Sequence, residues 1–172
     1  MVDSYKEYMV AKKITGKDWA VRVLALLSIV ILFCAAVLFM ASSVLSTLFI
    51  LLTVAMAAVA WNIIIPRTNV EYEYLYCDKT ITVDAIYGKN SRKTLAEYTL
   101  DKVDMICPLK SDRAKDSSYA NYVLREYWSY TESEEHEPYA IFYDGKQKIV
   151  LDLPRDFVKM IQNNSPRKVF MD

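Results

Sequence analysis

The chain changes solvent partway along its length. From Val23 to Pro66 there is no Asp, Glu, Lys, Arg or His in 44 residues. A helix rises ~1.5 Å per residue and the hydrocarbon core of a bilayer is ~30 Å thick, so one crossing takes ~20 residues. As a single helix the window would reach about 66 Å, twice the bilayer. Folded back on itself it makes two spans, placed at residues 19–40 and 44–65 and reversing within "MASSVLS". Ser42 and Ser43 are expected to cap the helix ends at that reversal. Gly16 is expected to stop any preceding helix and Asp18 to cap the first span; Pro66 and Arg67 close the second. Trp19 and Trp61 sit at the outer ends, so an antiparallel pair brings both to one interface, where Trp is enriched. A soluble helical hairpin would show a polar face every ~3.6 residues, and this window has none. A cleaved signal peptide has an apolar stretch of only ~7–15 residues; here about 20 precede "FMASS" and a second span follows.

Before the window, "VDSYKEYMVAKKITGK" places Val2, Tyr5, Tyr8 and Met9 at near-helical spacing. Residues 1–18 are therefore read as a juxtamembrane segment, either a short amphipathic helix on the leaflet or a solvated tail supplying positive charge. After the window the period becomes two. "VEYEYLYC" puts Val70, Tyr72, Tyr74 and Tyr76 on one face, and "TITVDAIYG" follows a short polar turn. "TLAEYTL", "KVDMICPL" and "NYVLREYWSY" read as further strands, and "KSDRAKDSS" as a loop. "YAIFYDGKQKIVLDL" reads as a hairpin whose Asp144-Gly145 suits a tight turn. "PRDFVKMIQNN" is a closing helix, with Phe157, Met160 and Ile161 on one face. Residues 67–172 thus hold about six or seven antiparallel strands and a C-terminal helix. The expected fold class is a membrane helical hairpin plus an α+β domain, mostly antiparallel, packed as a curled sheet or barrel capped by the last helix.

The stretch "YEYLYCDKTITVDAIYGKNSRKTLAEYTLDKVDMI" resembles the opening of a bacterial pleckstrin-homology-like (PH-like) domain, and "IVLDLPRDFVKMIQ" is similar to that fold's last strand and helix. Two spans followed by such a domain resembles a group of small bacterial membrane proteins of unknown function. The resemblance implies a fold and a binding-module role rather than a reaction, since one fold carries many activities.

Charge refines this reading. Lys12, Lys13, Lys17 and Arg22 precede the uncharged window and Arg67 follows it, while the turn between the spans has none. The positive-inside rule then sets both termini in the cytoplasm of a bacterial plasma (inner) membrane. Equal numbers of acidic and basic residues, 21 each, give no nucleic-acid signature. Three glycines exclude a glycine-rich phosphate loop. No acidic or basic residue lies within the window from Val23 to Pro66, which argues against transport. Ser46, Thr53, Ala57 and Ala60 form a small-residue stripe, suited to packing against the first span or against another membrane protein or second copy.

Chemistry is sparse. His136 is the only histidine, and Glu132, Glu134, Glu135 and Glu137 surround it, so it reads as part of an exposed acidic loop. Metal, cofactor, small-molecule substrate and catalytic roles have no residue set to carry them, and an enzyme is the least favoured class. Cys77 and Cys107 read as buried strand residues with thiols reduced in the cytoplasm. Lys89, Arg92 and Lys93 form a basic hairpin loop that could meet anionic headgroups. The expected function is a non-enzymatic, membrane-anchored interaction module for a protein partner or for self-association. Headgroup sensing through Lys89–Lys93 is the alternative.

Overall fold

The computed structural model describes residues 5–89, 91–131 and 133–171, so the expectations for Val2 and Glu132 fall outside the described residues. The chain separates into two compact units. One holds the residues up to Lys13, Glu71–Ile86 and those from Arg92 on; the other holds Ile14–Val70 and Tyr87–Ser91.

The first unit is built on two four-stranded sheets. Its first strand departs from both readings of the N-terminal segment, amphipathic helix and solvated tail: Lys6–Ala11 is strand β1 and pairs antiparallel with β2 (Val70–Cys77). The register sets Tyr8 opposite Tyr74 and Val10 opposite Tyr72. Val10 is buried, whereas Tyr5 and Met9, half of the supposed helical face, are exposed. Period two won because β2 supplied a tyrosine face for Tyr8 and Val10 to join. β3 (Thr80–Tyr87) and β4 (Ser91–Thr99) complete the order β1-β2-β3-β4. Asp78 and Lys79 at the β2–β3 turn both have positive φ (46° and 62°), as a primed two-residue turn requires.

The second sheet has the order β5-β7-β8-β6, from β5 (Val103–Pro108), β6 (Val123–Tyr127), β7 (Glu137–Tyr143) and β8 (Gln147–Leu153). β7 and β8 form the expected hairpin, with Asp144 and Gly145 at φ 54° and 61°. β6 departs from expectation and runs parallel to β8, because the chain crosses from β5 through two short 3₁₀ turns and enters the sheet from the far edge. The segment read as a plain loop therefore contains these turns, and Ala114 within them is buried. Two sheets thus replace the single curled sheet. α4 (Arg155–Asn164) closes the core, burying Phe157, Val158 and Ile161. Tyr76 meets Phe157 at 6.2 Å between ring centres, and its hydroxyl accepts from Asn164 Nδ2 at 2.8 Å.

The second unit is a helical hairpin: α1 (Gly16–Leu38), α2 (Ser43–Val59), a π-helical stretch at Ala60–Ile64, and α3 (Ile65–Thr68). Gly16 starts α1 rather than ending a helix. Thr15, not Asp18, is the N-cap, and Asp18 is its reciprocal partner: Asp18 N donates to Thr15 Oγ1 at 3.4 Å and Thr15 N to Asp18 Oδ2 at 3.1 Å. This is a capping box with Asp in the place usual for Glu. The turn also differs from expectation. Ser42 is the N-cap of α2 without a side-chain bond; the backbone closes the turn from Ser42 N to Phe39 O at 2.9 Å, and the Ser46 hydroxyl reaches Ala36 O at 3.2 Å. The widening at Ala60–Ile64 precedes Pro66, which has no N–H for the Asn62 carbonyl and whose ring would crowd it in a regular helix. Among the described residues these are two helices long and apolar enough to cross a membrane, Gly16–Leu38 and Ser43–Thr68.

Gly88 (φ 56°) sits with this unit. Its N–H donates to Asn69 O at 2.9 Å, and a Cβ there would lie 2.8 Å from Pro66 Cβ. Gly145 has a similar φ but its nearest neighbour, the Tyr122 hydroxyl, is 3.9 Å away. Gly145→Ala should therefore cost about 1–2 kcal/mol from left-handed strain alone, and Gly88→Ala clearly more, because Pro66 must also move. Thermal unfolding of both variants in detergent checks the order; equal losses would contradict it.

Candidate functional site

Two polar clusters and one apolar groove carry whatever chemistry the chain has. The first cluster surrounds Asp152, which β8 carries into the core with no exposed surface. Its Oδ2 accepts from Ser129 N at 2.6 Å, and its own N–H points at the Tyr74 hydroxyl, 3.4 Å away. Tyr74 in turn donates to the Tyr127 carbonyl. Burial pushes the Tyr74 phenol well above its ordinary range, and the Asp152 charge adds to the effect. His136 is not the solvated loop residue expected. Its side chain is 9% exposed, with Nδ1 3.7 Å from Asp152 Oδ1. Tyr8 stands edge-on to its ring at 6.0 Å. The acidic residues around His136 misled the reading because the burial comes from β1 and β8, both far away in sequence.

Ser129, His136 and Asp152 have the composition of a hydrolytic triad but not its geometry. Ser129 is buried, and its hydroxyl both donates to Thr131 O at 3.2 Å and accepts from Thr131 N at 3.0 Å. It is turned into its own loop rather than toward an imidazole, so Ser129 is not placed as a nucleophile. Beside His136 a cavity of about 230 Å³ is lined by Pro108, Lys110, Ser133, Glu137 and Pro138. No group of three or more His, Cys, Asp or Glu able to hold a metal occurs among the described residues. Cys107 is buried as expected, but Cys77, at the end of β2, is exposed.

The second cluster takes in one member of the basic loop. Arg92, at the start of β4, donates from Nε to Asp84 Oδ2 at 2.6 Å, and its Nη2 lies 2.5 Å from Glu73 Oε2. Glu73 and Asp84 are both buried, on the neighbouring strands β2 and β3, and would repel each other without a cation between them. Burial raises the Glu73 pKa, and a hydrogen bond with Glu7 raises it further. The same bond, with one from Tyr5, lowers that of Glu7. Arg92 is thus committed to structure. Lys93 is exposed on β4, and Lys89 is exposed with φ 64°.

The groove lies within the helical hairpin. Ala57 and Ala60 of the expected stripe line a cavity of about 440 Å³ with Arg22, Ala25, Trp61 and Ile64. Ser46 bonds α1 through Ala36 O, and Thr53 bonds back to Phe49 O at 2.8 Å. Ala25 and Ala36 are the buried residues of α1. At the opening of the hairpin Arg22 Nε donates to Thr68 Oγ1 at 2.7 Å.

Two strongly apolar helices, joined to a two-sheet domain with a C-terminal helix and no assembled catalytic set among the described residues, define a PH-like protein carrying candidate membrane spans. A family profile described as bacterial PH-like domain (DUF6106) matches residues 2–171, and the chain belongs to that family. Neither a curated protein nor a solved structure matches it.

Replacing Arg92 with Met leaves two buried carboxylates facing each other. The cost should be about 1–3 kcal/mol, less than for a fully buried pair because the guanidinium is half-exposed. A carboxyl with a raised folded-state pKa favours the fold at low pH, and that contribution is lost as pH rises through the folded-state value. Arg92 holds Glu73 down, so without it Glu73 rises further. The deficit of Arg92→Met should therefore be largest near neutrality and shrink on acidification through the carboxylate range. Chemical denaturation from pH 7 down to the carboxylate range measures this, and a deficit that grew in acid would contradict it.

Proposed function

We propose that this protein is a non-enzymatic interaction module anchored in the bacterial plasma membrane by the α1–α2 hairpin, with both termini and the PH-like domain in the cytoplasm. The observation that carries the reading is the β1–β2 ladder. Ala11 pairs with Glu71, so residues 12–70 leave one sheet and return to the neighbouring strand of the same sheet. Any crossing made by α1 must then be undone by α2. The hairpin's outer surface supports the membrane assignment: Leu38, Val44 and Trp61 are 81%, 78% and 74% exposed, apolar faces that water would not tolerate. Lys12, Lys13, Lys17, Arg22 and Arg67 supply the cytoplasmic orientation.

The small-residue stripe is assigned to packing within the hairpin, since Ser46 bonds α1 directly. Headgroup recognition ranks second, because Arg92 is held by Glu73 and Asp84 and leaves only Lys89 and Lys93 of the basic loop to face a lipid. A protein partner ranks first because the domain presents uncovered strand edges rather than an assembled reaction centre.

Cysteines introduced singly at Lys17, Ser43 and Lys159, in a chain cleared of its own thiols, test the arrangement. An impermeant maleimide should label only Ser43→Cys in intact cells, and the other two once the membrane is opened. Labelling of Lys17→Cys and Lys159→Cys from opposite sides would refute the hairpin anchor. For the partner, the chain extracted in mild detergent should migrate as a complex larger than itself; a lone chain at every expression level would remove the module reading.

A further inference from the structure

Two four-stranded sheets present four edges, and the chain treats them differently. The β5 edge is covered by the C-terminal tail: Ile106 N donates to Lys168 O at 2.7 Å and Phe170 N to Ile106 O at 2.8 Å. The β1 edge has no backbone partner within Lys6–Ala11 among the described residues, but its two ends are flanked: Lys13 N, just past the strand, donates to Ser129 O at 2.8 Å, and Lys6 Nζ pairs with Asp156 at 2.9 Å. The outer edges of β4 and β6 have no backbone partner among the described residues. They flank a cavity of about 410 Å³ lined by Ala96, Glu97 and Tyr98 on one side and Arg125 and Tyr127 on the other. Only side chains span it. Tyr98 meets the Tyr143 ring at 5.1 Å, and Thr99 Oγ1 is 3.4 Å from the Tyr143 hydroxyl.

The register of β6 shows which backbone groups are open. Val123 N donates to Lys146 O at 2.8 Å in the parallel ladder with β8. Residues alternate in a strand, so the amides and carbonyls of Val123, Arg125 and Tyr127 face β8 and those of Leu124 and Glu126 face away. Val123 and Leu124 are 54% and 53% exposed, and β6 has neither a proline nor a lysine to blunt its edge.

We propose that the seam between β4 and β6 is a docking site for an extended segment of a protein partner, which adds to β6 as a further strand. The inference names the surface used by the interaction module proposed above and depends on that reading. An open strand edge recognises one chemistry, an extended main chain. The lining selects an amphipathic one: polar side chains toward Glu97 and Arg125, and an apolar side chain beside Leu124. A second copy of β6 paired about Arg125 would set arginine against arginine, which disfavours self-pairing in that register.

The test uses the full chain in lipid nanodiscs and a fluorescent ten-residue peptide of alternating Thr and Val with lysine ends. Anisotropy should show saturable binding, and hydrogen exchange at the Leu124 and Glu126 amides should slow when the peptide is present. Glu126→Pro removes an outward donor and should weaken binding by about tenfold or more, the scale of one well-made backbone hydrogen bond. Glu126→Thr keeps that donor and should bind like the parent. If Glu126→Pro fails to fold, the exchange measurement on the parent chain decides. Absent saturation, unchanged exchange at those two amides, or equal effects of Pro and Thr would each overturn the proposal. So would a dimer that Glu126→Pro dissociates, which would make the occupant a second copy. A large detergent complex that survives Glu126→Pro would remove the seam as the docking site while leaving the membrane-module reading intact.

Discussion

The ladder between β1 and β2 constrains everything downstream of it. Six residue pairs, from Lys6 with Tyr76 to Ala11 with Glu71, tie the first strand to the second across 59 intervening residues. The apolar hairpin is therefore an insertion between two hydrogen-bonded neighbours. Closing so long a loop costs entropy that grows only slowly with its length, and the pairing of α1 with α2 recovers order inside it. A single crossing is incompatible with this ladder, because the chain would emerge on the side of the membrane away from β1. The capping box at Thr15 and Asp18, the turn from Phe39 to Ser42 and the bond from Ser46 to Ala36 are the local means by which the return is made.

Within the domain, buried charge rather than apolar area alone decides how strands align. Asp152 reaches from β8 to Ser129, and Tyr74 reaches from β2 to the Tyr127 carbonyl, so the sheets are tied through polar atoms in a region that excludes water. Arg92 performs a similar task at the start of β4, neutralising Glu73 and Asp84. Such groups add little net stability compared with apolar side chains of the same shape, but losing one partner is expensive. They therefore act mainly against misregister: a slip of one residue in β2 would bring Glu73 to the core face and Tyr74 to the outer one.

What was legible in the sequence follows from the range of each signal. The two apolar helices were readable because an uncharged block of that length, too long for one helix across a bilayer, has few solutions. The β2–β3 and β7–β8 hairpins were readable because alternation and turn residues are local. β1 was misread because Tyr5, Tyr8 and Met9, at and around its six residues, fit a helical face as well as a strand, and only β2 decides between them. The parallel entry of β6 and the burial of His136 were invisible for the same reason, since both depend on β8, more than ten residues further on. Arg92 looked like part of a basic loop because its two carboxylate partners sit eight and nineteen residues earlier. The cluster at Asp152 carried no sequence signal at all, as an aspartate amid "IVLDLP" looks like a strand end.

Where function resides follows from what each part cannot do. The helical hairpin holds no Asp, Glu, Lys, Arg or His between Val23 and Pro66. The buried acid is closed to solvent, and the one arginine in the basic loop is occupied. Among the described residues, the outer edges of β4 and β6 have no backbone partner. Four strand edges without protection would make a small domain aggregate; here the C-terminal tail covers β5, Lys13 flanks β1 just past its end, and β4 and β6, beside the Tyr98–Tyr143 contact, have no backbone partner on their outer edges among the described residues. A ladder between β4 and β6 would join the two sheets into one, with β1 and β5 at its ends. Tyrosine side chains stand there instead, Tyr98 meeting Tyr143 at 5.1 Å between ring centres, and the strand edges beside them keep their backbone donors available.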